Sequence, residues 1–165
     1  MRRRNTQRGP MASVLIEDST GRIELTLFNN LYEASQEKLE IDSIIVVIGS
    51  LNMDEYRGCL AIRADELATL EAYRAMQTTQ VKLQMDQTWQ QAQTQTAAEL
   101  MQVLATLLRP HLGGHSKIKV YYEGEQAQVW LAFGEKWSVT LNEALLTQLT
   151  EWLGAESVRL TFQAT

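Results

Sequence analysis

The sequence is poor in the residues that carry most enzyme chemistry. It has one cysteine, Cys59, and two histidines, His111 and His115. A single cysteine excludes an internal disulfide and favours a reducing compartment, so we expect a cytoplasmic location. These three residues match no zinc-ligand spacing, and we expect no metal site. No phosphate-binding or dinucleotide-binding glycine motif and no nucleophile elbow occurs, so we expect no cofactor.

Long apolar runs are also missing. No stretch is long enough to span a bilayer and no signal-peptide pattern is present, so we expect no membrane partner. The adjacent carboxylates Glu17 and Asp18 are a candidate catalytic pair, but neighbouring residues of a strand point to opposite faces. A strand end followed by a turn is the favoured interpretation. The sequence therefore predicts a binding module with no catalytic site of its own.

The charge balance is acidic but uneven. Acidic residues outnumber basic ones by 20 to 15, which gives a net charge of −5. This argues against a chain that coats nucleic acid indiscriminately. Four arginines nevertheless crowd the first ten residues without an acid among them, namely Arg2, Arg3, Arg4 and Arg8.

The first half of the chain has the pattern of a small β domain over residues 1–70. Residues 11–28 predict a hairpin, because Ile23, Leu25 and Leu27 alternate with polar residues after a turn that ends at Gly21. A helix is predicted over residues 29–42, with Asn29 or Asn30 as its N-cap. Two further strands are predicted at 43–51 and 59–67, with a bulge or bend at Gly49.

The order strand, strand, helix, strand, strand is that of an OB-fold that lacks most of its first strand. We therefore predict a β barrel that binds nucleic acid across its second and third strands and through two loops. Residues 2–10 would be the end of strand one and the 1–2 loop, and residues 54–58 the 4–5 loop. The predicted nucleic-acid-binding residues are Arg2, Arg3, Arg4, Arg8, Arg22, Tyr56 and Arg57. For each arginine, a solvated surface charge is the alternative.

The second half predicts a small α+β domain over residues 86–165, after a connector at 71–85. An apolar stripe from Leu100 to Leu108 predicts a helix that Pro110 stops. A hairpin follows around residues 123–125, and Val139 and Leu141 suggest a short strand. Asn142 is expected to cap a further helix that ends at Gly154, and residues 157–162 alternate as a final strand.

These residues carry a specific resemblance along nearly the whole chain. The stretches TQRGPMASVLIEDSTGRIELTLF and IDSIIVVIGSLNMDEYRGCLAIRADEL resemble the C-terminal OB domain of the α (polymerase) subunit of bacterial DNA polymerase III. The stretch KIKVYYEGEQAQVWLAFGEKWSVTLNEALLTQLTEWLGAESVRLTF resembles the α-subunit tail that binds the clamp loader. The residues that match the family pattern are Thr6, Arg8, Gly9, Met11, Ala12, Glu17, Asp18, Gly21, Arg22, Ile23, Glu24, Asp54, Gly58 and Leu60.

The resemblance implies a role in DNA replication. It implies that the OB domain binds single-stranded template DNA and that the tail binds the τ subunit, among other subunits of the holoenzyme. It also implies that the chain is a fragment, which starts after the palm, fingers and PHP domains. The parent subunit would be a DNA-directed DNA polymerase, a nucleotidyltransferase whose catalytic carboxylates would lie upstream. A free-standing OB-fold protein that coats single-stranded DNA is the alternative.

The tail is expected to meet its partner through exposed tryptophans and the last strand. Trp130 falls on the opposite strand face from Val129 and Leu131, and tryptophan is enriched at interface hot spots. Trp152 shares the apolar face of its helix and is expected in the core. An edge strand can accept a partner segment. The predicted partner-binding residues are Trp130, Trp137, Val158, Leu160 and Phe162.

Overall fold

A computed structural model describes residues 2–6, 9–54, 58–123 and 128–163; the side chains of residues 2–6, 29 and 54 are not described. The chain divides into two compact units, with the boundary between Tyr73 and Arg74. Among the described residues, no helix is both long and apolar enough to cross a membrane.

The first unit is a five-stranded mixed sheet with one short helix. The sheet order is β1-β2-β3-β5-β4, in which β3 and β5 are parallel and the other neighbours are antiparallel. The helix α1 lies between β3 and β4 in the chain, as the sequence predicted. The elements are β1 (Arg2–Thr6), β2 (Gly9–Glu17), β3 (Arg22–Phe28), α1 (Asn29–Ser35), β4 (Ile45–Asp54) and β5 (Cys59–Thr69).

The predicted hairpin between β2 and β3 is confirmed. Asp18 closes its turn, because its Oδ1 accepts hydrogen bonds from the Thr20 hydroxyl at 2.6 Å and from the backbone N–H groups of Thr20 at 2.7 Å and Gly21 at 3.0 Å. These bonds, the Thr20 side chain first, lower the pKa of the Asp18 carboxyl. The carboxylate therefore acts as an Asx-type turn residue, which was the favoured interpretation of the Glu17–Asp18 pair.

The predicted bulge at Gly49 is confirmed. The register of β4 against β5 shifts between Ile48 and Gly49. A Cβ at Gly49 would lie 2.1 Å from the backbone oxygen of Arg63, so only glycine fits this close approach.

Two details of the first unit differ from the predictions. The helix ends at Ser35 instead of residue 42, and a 3-10 turn follows at Gln36–Lys38. Its N-cap is Phe28, not an asparagine, and no side chain caps it. Tertiary contacts define this helix, since Tyr32 and Ser35 are buried while no capping bond stabilises its start.

The predicted barrel is not closed. Within the described residues the sheet ends at β1 on one side and at β4 on the other, and no pairing joins them. β1 has only five residues, which pair with residues 9–13 of β2. The open side leaves Leu51 58% and Met53 59% exposed. The buried core of this unit comprises Ala12, Leu25, Leu27, Tyr32, Ala64 and Leu67.

The second unit packs helices on one face of a four-stranded sheet of order β8-β7-β6-β9. β6 and β7 are parallel, and both outer pairs are antiparallel. The elements that follow β5 are α2 (Leu70–Gln77), β6 (Thr78–Met85), α3 (Gln87–Gln91), α4 (Ala97–Leu108), β7 (Leu112–Glu123), β8 (Gln128–Ala132), α5 (Glu143–Leu153) and β9 (Val158–Phe162).

The prediction of a connector at 71–85 is wrong. Residues 78–85 form β6, an inner strand whose Val81, Leu83 and Met85 are fully buried. The strand is specified by partners far away in sequence, β7 on one side and β9 on the other. Val139 and Leu141 are buried as expected, but Val139 makes only isolated bridges to Leu112 and Ser116 in place of a strand.

Both long helices of the second unit begin at a side-chain cap. Asn142 starts α5 as predicted, and its Oδ1 accepts from the Leu145 N–H at 2.9 Å. α4 begins with a capping box, in which Thr96 and Glu99 satisfy each other's backbone N–H groups. Gly154 ends α5 at φ 89°, a left-handed value that favours glycine. The two helices supply Leu104, Leu108, Leu145 and Leu149 to the core beneath the sheet.

Candidate nucleic-acid and partner interfaces

The outward face of the first sheet carries a row of polar residues across all five strands. Ser13 lies opposite Thr26, Thr26 opposite Arg63, and Arg63 opposite Ser50. Arg2 takes the register position next to Ser13 on β1. This row alternates with the buried residues Leu25 and Leu27 and so lies away from the core.

A cation and an aromatic ring meet beside this row. The guanidinium carbon of Arg63 lies 5.8 Å from the centroid of the Phe28 ring, and both residues are exposed. Met11 lies opposite Phe28, and Arg4 lies opposite Met11 in register. The Phe28 ring and the Arg63 guanidinium together provide a stacking surface with a positive charge beside it.

The predicted residue Arg22 lies apart from this cluster. It sits at the start of β3, six residues from Phe28, which is about 20 Å along a strand. Its Nε forms an ion pair with the Glu17 carboxylate, and Asp18 follows directly. Arg22 is exposed on the predicted face, but its charge is locally neutralised.

The other predicted contacts are defined only in part. Arg2, Arg3 and Arg4 lie within β1 and not in a loop, and Arg3 takes the position opposite the buried Ala12. Arg8, Tyr56 and Arg57 lie outside the described residues. Within the described part of the chain, no group of three His, Cys, Asp or Glu residues is placed to hold a metal ion.

Arg63 is the residue that the sequence analysis missed. A signal was present, because Leu60 and Ile62 alternate along the strand predicted at 59–67, and the residue after Ile62 therefore points to the other face. The alternation did not predict that Arg63 contacts Phe28, because that contact depends on the parallel pairing of β3 with β5.

In the second unit, Trp130 lies on an exposed edge strand. All residues of β8 are exposed, and Trp130 is 54% exposed. The expected contrast with Val129 and Leu131 is absent, because these residues are 41% and 38% exposed at the sheet edge. The Trp130 ring packs at 5.2 Å, tilted by 49°, on the ring of Tyr121. Burial, with Glu123 nearby, raises the pKa of Tyr121.

The remaining tryptophans belong to the core layer. Trp137 packs against the core and meets the Phe133 ring edge-on at 5.9 Å. Trp152 packs against the core as expected, edge-on to Trp89 at 5.5 Å, and its backbone oxygen accepts from the Trp89 indole N–H at 3.3 Å.

β9 is an edge strand, but only part of it faces out. Val158 and Leu160 pack against the core, while Phe162 is 51% exposed. β8 and β9 lie at opposite edges of the sheet, with β7 and β6 between them. The predicted partner-binding residues are therefore divided between two edges and the core layer.

Comparison with known proteins gives matches to both units. Residues 1–70 match the model of the OB-fold nucleic acid binding domain, and residues 103–154 match that of the DNA polymerase III subunit alpha C-terminal domain. The chain is 30% identical over 148 residues to the DNA polymerase III subunit alpha of Haemophilus influenzae, which covers 90% of this chain and 12% of that protein.

Two further relatives bear the same name. The subunit alpha of Escherichia coli K12 is 28% identical over 158 residues, covering 95% of this chain and 13% of the relative. The subunit alpha of Pseudomonas aeruginosa is 28% identical over 162 residues, covering 97% and 13%. The chain thus spans roughly an eighth of the length of the curated relatives it matches.

Proposed function

We propose, from the confirmed similarity of this chain to the C-terminal region of the DNA polymerase III alpha subunit, that it is a two-part binding module of DNA replication. Its OB unit holds single-stranded template DNA, and its second unit binds the τ subunit of the clamp loader within the polymerase III holoenzyme. The module positions DNA and partner, while catalysis belongs to other parts of the parent polymerase.

One observation carries the DNA-binding half. Arg63 and Phe28 come together on the outward face of the unit that matches the OB-fold model. In the sheet register, Arg63 and the Arg2 position of β1 belong to the same row across the strands. Phosphates need cations and unstacked bases need rings, and this end of the sheet offers both. Arg8, Tyr56 and Arg57 are proposed to extend the surface through the adjoining loops.

The outer edge of β9, which pairs with no strand of the described residues, supports the partner half. A strand with one unpaired side can take up an extended segment by backbone hydrogen bonds, and side-chain contacts then supply specificity. Phe162 is the exposed anchor on this strand. Val158 and Leu160 contribute by holding β9 on the core. Trp130 offers a second anchor at the opposite edge, and Trp137 contributes from the core layer, where it packs on Phe133.

A free-standing protein that coats single-stranded DNA remains the alternative function. That alternative expects a disordered acidic tail after the OB unit. Twelve of the described residues form a buried core in the second unit, which favours the first proposal.

Fluorescence anisotropy with a labelled oligothymidylate tests the DNA half. The double variant Arg2→Ser with Arg4→Ser should weaken binding and make the salt dependence less steep by about 0.7 for each lost phosphate contact. The control, Arg109→Ser with Lys136→Ser, removes the same charge from two exposed sites in the second unit. Equal losses in both variants would leave only a net-charge effect and contradict the proposed surface.

Calorimetry against the C-terminal part of τ tests the partner half. Phe162→Ala and Trp130→Ala lie at opposite edges of the sheet, so the variant that loses affinity identifies the edge in use. Circular dichroism must show that both variants are folded. Full τ binding by both variants would contradict the proposed surface, and no binding by the unaltered chain would contradict the τ assignment itself.

A further inference from the structure

Three cations stand side by side on the face of the second sheet that points away from α4 and α5. In the register, Lys82 of β6 lies directly opposite Lys119 of β7 on one side and Arg159 of β9 on the other. Neighbouring strands are about 4.8 Å apart, so the row spans about 10 Å. Lys82 and Lys119 are half-buried and Arg159 is exposed.

On the same face, a further lysine, polar side chains and aromatic rings lie on either side of the row along the strands. On one side of the row, Lys117 and Thr161 flank Gln80 in register. On the other side, Tyr121 lies between Gln84 and Trp130, and its ring packs on the Trp130 ring. The face therefore carries four cations beside the exposed ring of Trp130 and the half-buried ring of Tyr121.

Nothing within the described residues neutralises these cations. No ion pair joins Lys82, Lys119 or Arg159 to a carboxylate of the described chain. Among the described residues in register on this face, the acid is Glu123 near the hairpin end, where it accepts from the Gln128 amide at 2.6 Å. Like charges directly opposite one another destabilise a sheet, so folding gives no reason for the row.

The helices do not cover this face. α4 and α5 pack on the opposite side, against Val81, Leu83, Ile118 and Val120. In a chain of net charge −5, a cluster of four cations without an ion pair to any described carboxylate is a local departure from the overall balance. A bound polyanion would remove the repulsion that the bare row carries.

We infer that this basic sheet face of the second unit is an additional binding surface for single-stranded nucleic acid. Phosphates would lie over Lys82, Lys119 and Arg159, and bases would stack on Trp130 and Tyr121. The rings favour nucleic acid over an acidic peptide, because bases stack on aromatic rings and carboxylate side chains do not. Gln80 and Gln84 of β6 add amide groups, which can hydrogen-bond to any of the bases. This surface lies in a different unit from Arg63 and Phe28, and binding to it does not require that pair.

Anisotropy of an oligothymidylate on the full chain tests the inference. The triple variant Lys82→Gln, Lys119→Gln, Arg159→Gln should bind more weakly, with a salt slope less negative by about 2. The matched control, Lys38→Gln, Arg109→Gln, Lys136→Gln, removes the same charge from outside this face. Thermal unfolding adds a second readout: the triple variant should be at least as stable as the unaltered chain, because like charges are removed.

The variant Trp130→Ala tests the proposed stacking of bases on the Trp130 ring. It should lower affinity for oligothymidylate by roughly fivefold or more, while leaving the salt slope unchanged. The same titration with labelled polyglutamate tests an acidic peptide in place of DNA. Unchanged DNA affinity in the triple variant would overturn the inference, as would equal losses in variant and control. Polyglutamate binding that matches DNA binding and ignores Trp130→Ala would assign the face to an acidic peptide instead.

Discussion

The guanidinium of Arg63 lies over the ring of Phe28, 5.8 Å from its centroid, although the two residues come from strands 35 positions apart. The pair exists because β3 and β5 run parallel, with Thr26 opposite Arg63. It is exposed, so its cation–π energy is about 0.5–1 kcal/mol and contributes little to folding. Its value lies in presenting a ring and a charge together on the outward face.

This pair yields the first prediction. Phe28→Leu keeps apolar bulk at the start of α1 but loses the ring, and it should cost roughly 1–3 kcal/mol of affinity for single-stranded DNA. Arg63→Gln should weaken binding and reduce the salt slope by about 0.7. Arg22→Gln is the control, since Glu17 already neutralises that charge and its loss should matter less. An Arg22 effect larger than both, measured by anisotropy, would move the interface to the other end of the sheet.

Asn142 carries the second prediction, which concerns stability. Its Oδ1 caps α5, and its amide nitrogen lies 3.2 Å from His111 Nδ1. Asn142→Ala should lower the free energy of unfolding by about 0.5–2 kcal/mol. Asn142→Asp keeps the capping oxygen and loses only the amide group, so it should cost less in urea denaturation. Equal costs for the two variants would show that the His111 contact, and not the cap, matters most.

Acid sensitivity of α4 is the third prediction. Glu99 accepts from the backbone N–H of Thr96 at 2.7 Å and from its hydroxyl at 2.8 Å, and these bonds lower its pKa below the ordinary 4.5. A lowered carboxyl pKa contributes stability that is present above the ordinary value and is lost as the pH falls through the lower, folded value. Glu99→Gln should therefore flatten the decline of Tm below pH 4.5. An unchanged pH profile would mean that the ionised form contributes nothing to the cap.

Catalysis provides the fourth prediction. The proposed role is binding alone, so we expect the purified chain to extend no primer. A primed template with labelled deoxynucleotides and Mg²⁺ is the assay, with an active polymerase as positive control. Template-dependent incorporation that survives repeated purification would contradict the assignment as a binding module.

Local patterns predicted the parts of the fold that local chemistry determines. The alternation of Ile23, Leu25 and Leu27 identified β3, and the amide of Asn142 identified the start of α5. Gly49 marked the bulge because no other residue tolerates the backbone oxygen of Arg63 so near. Each of these signals lies within a few residues of the feature it predicts.

The sequence patterns did not predict the features that depend on pairing between distant segments. β6 alternates Val81, Leu83 and Met85, but it is a strand only because β7 and β9 flank it. The same holds for the candidate sites. Lys82, Lys119 and Arg159 come from three separate segments, and only the sheet register makes them neighbours. No window of the sequence contains that row.

The outer side of β4, which pairs with no strand in the part of the chain that the structure describes, has a consequence for handling the isolated chain. From Ile45 to Met53 the strand carries no charged residue and no proline, two of the devices by which natural edge strands resist pairing with other molecules. Only the bulge at Gly49 interrupts its ladder. Solutions of the chain should therefore self-associate as concentration rises, with light scattering that grows faster than linearly. A lysine in place of Leu51, on this edge strand, should keep the chain monomeric.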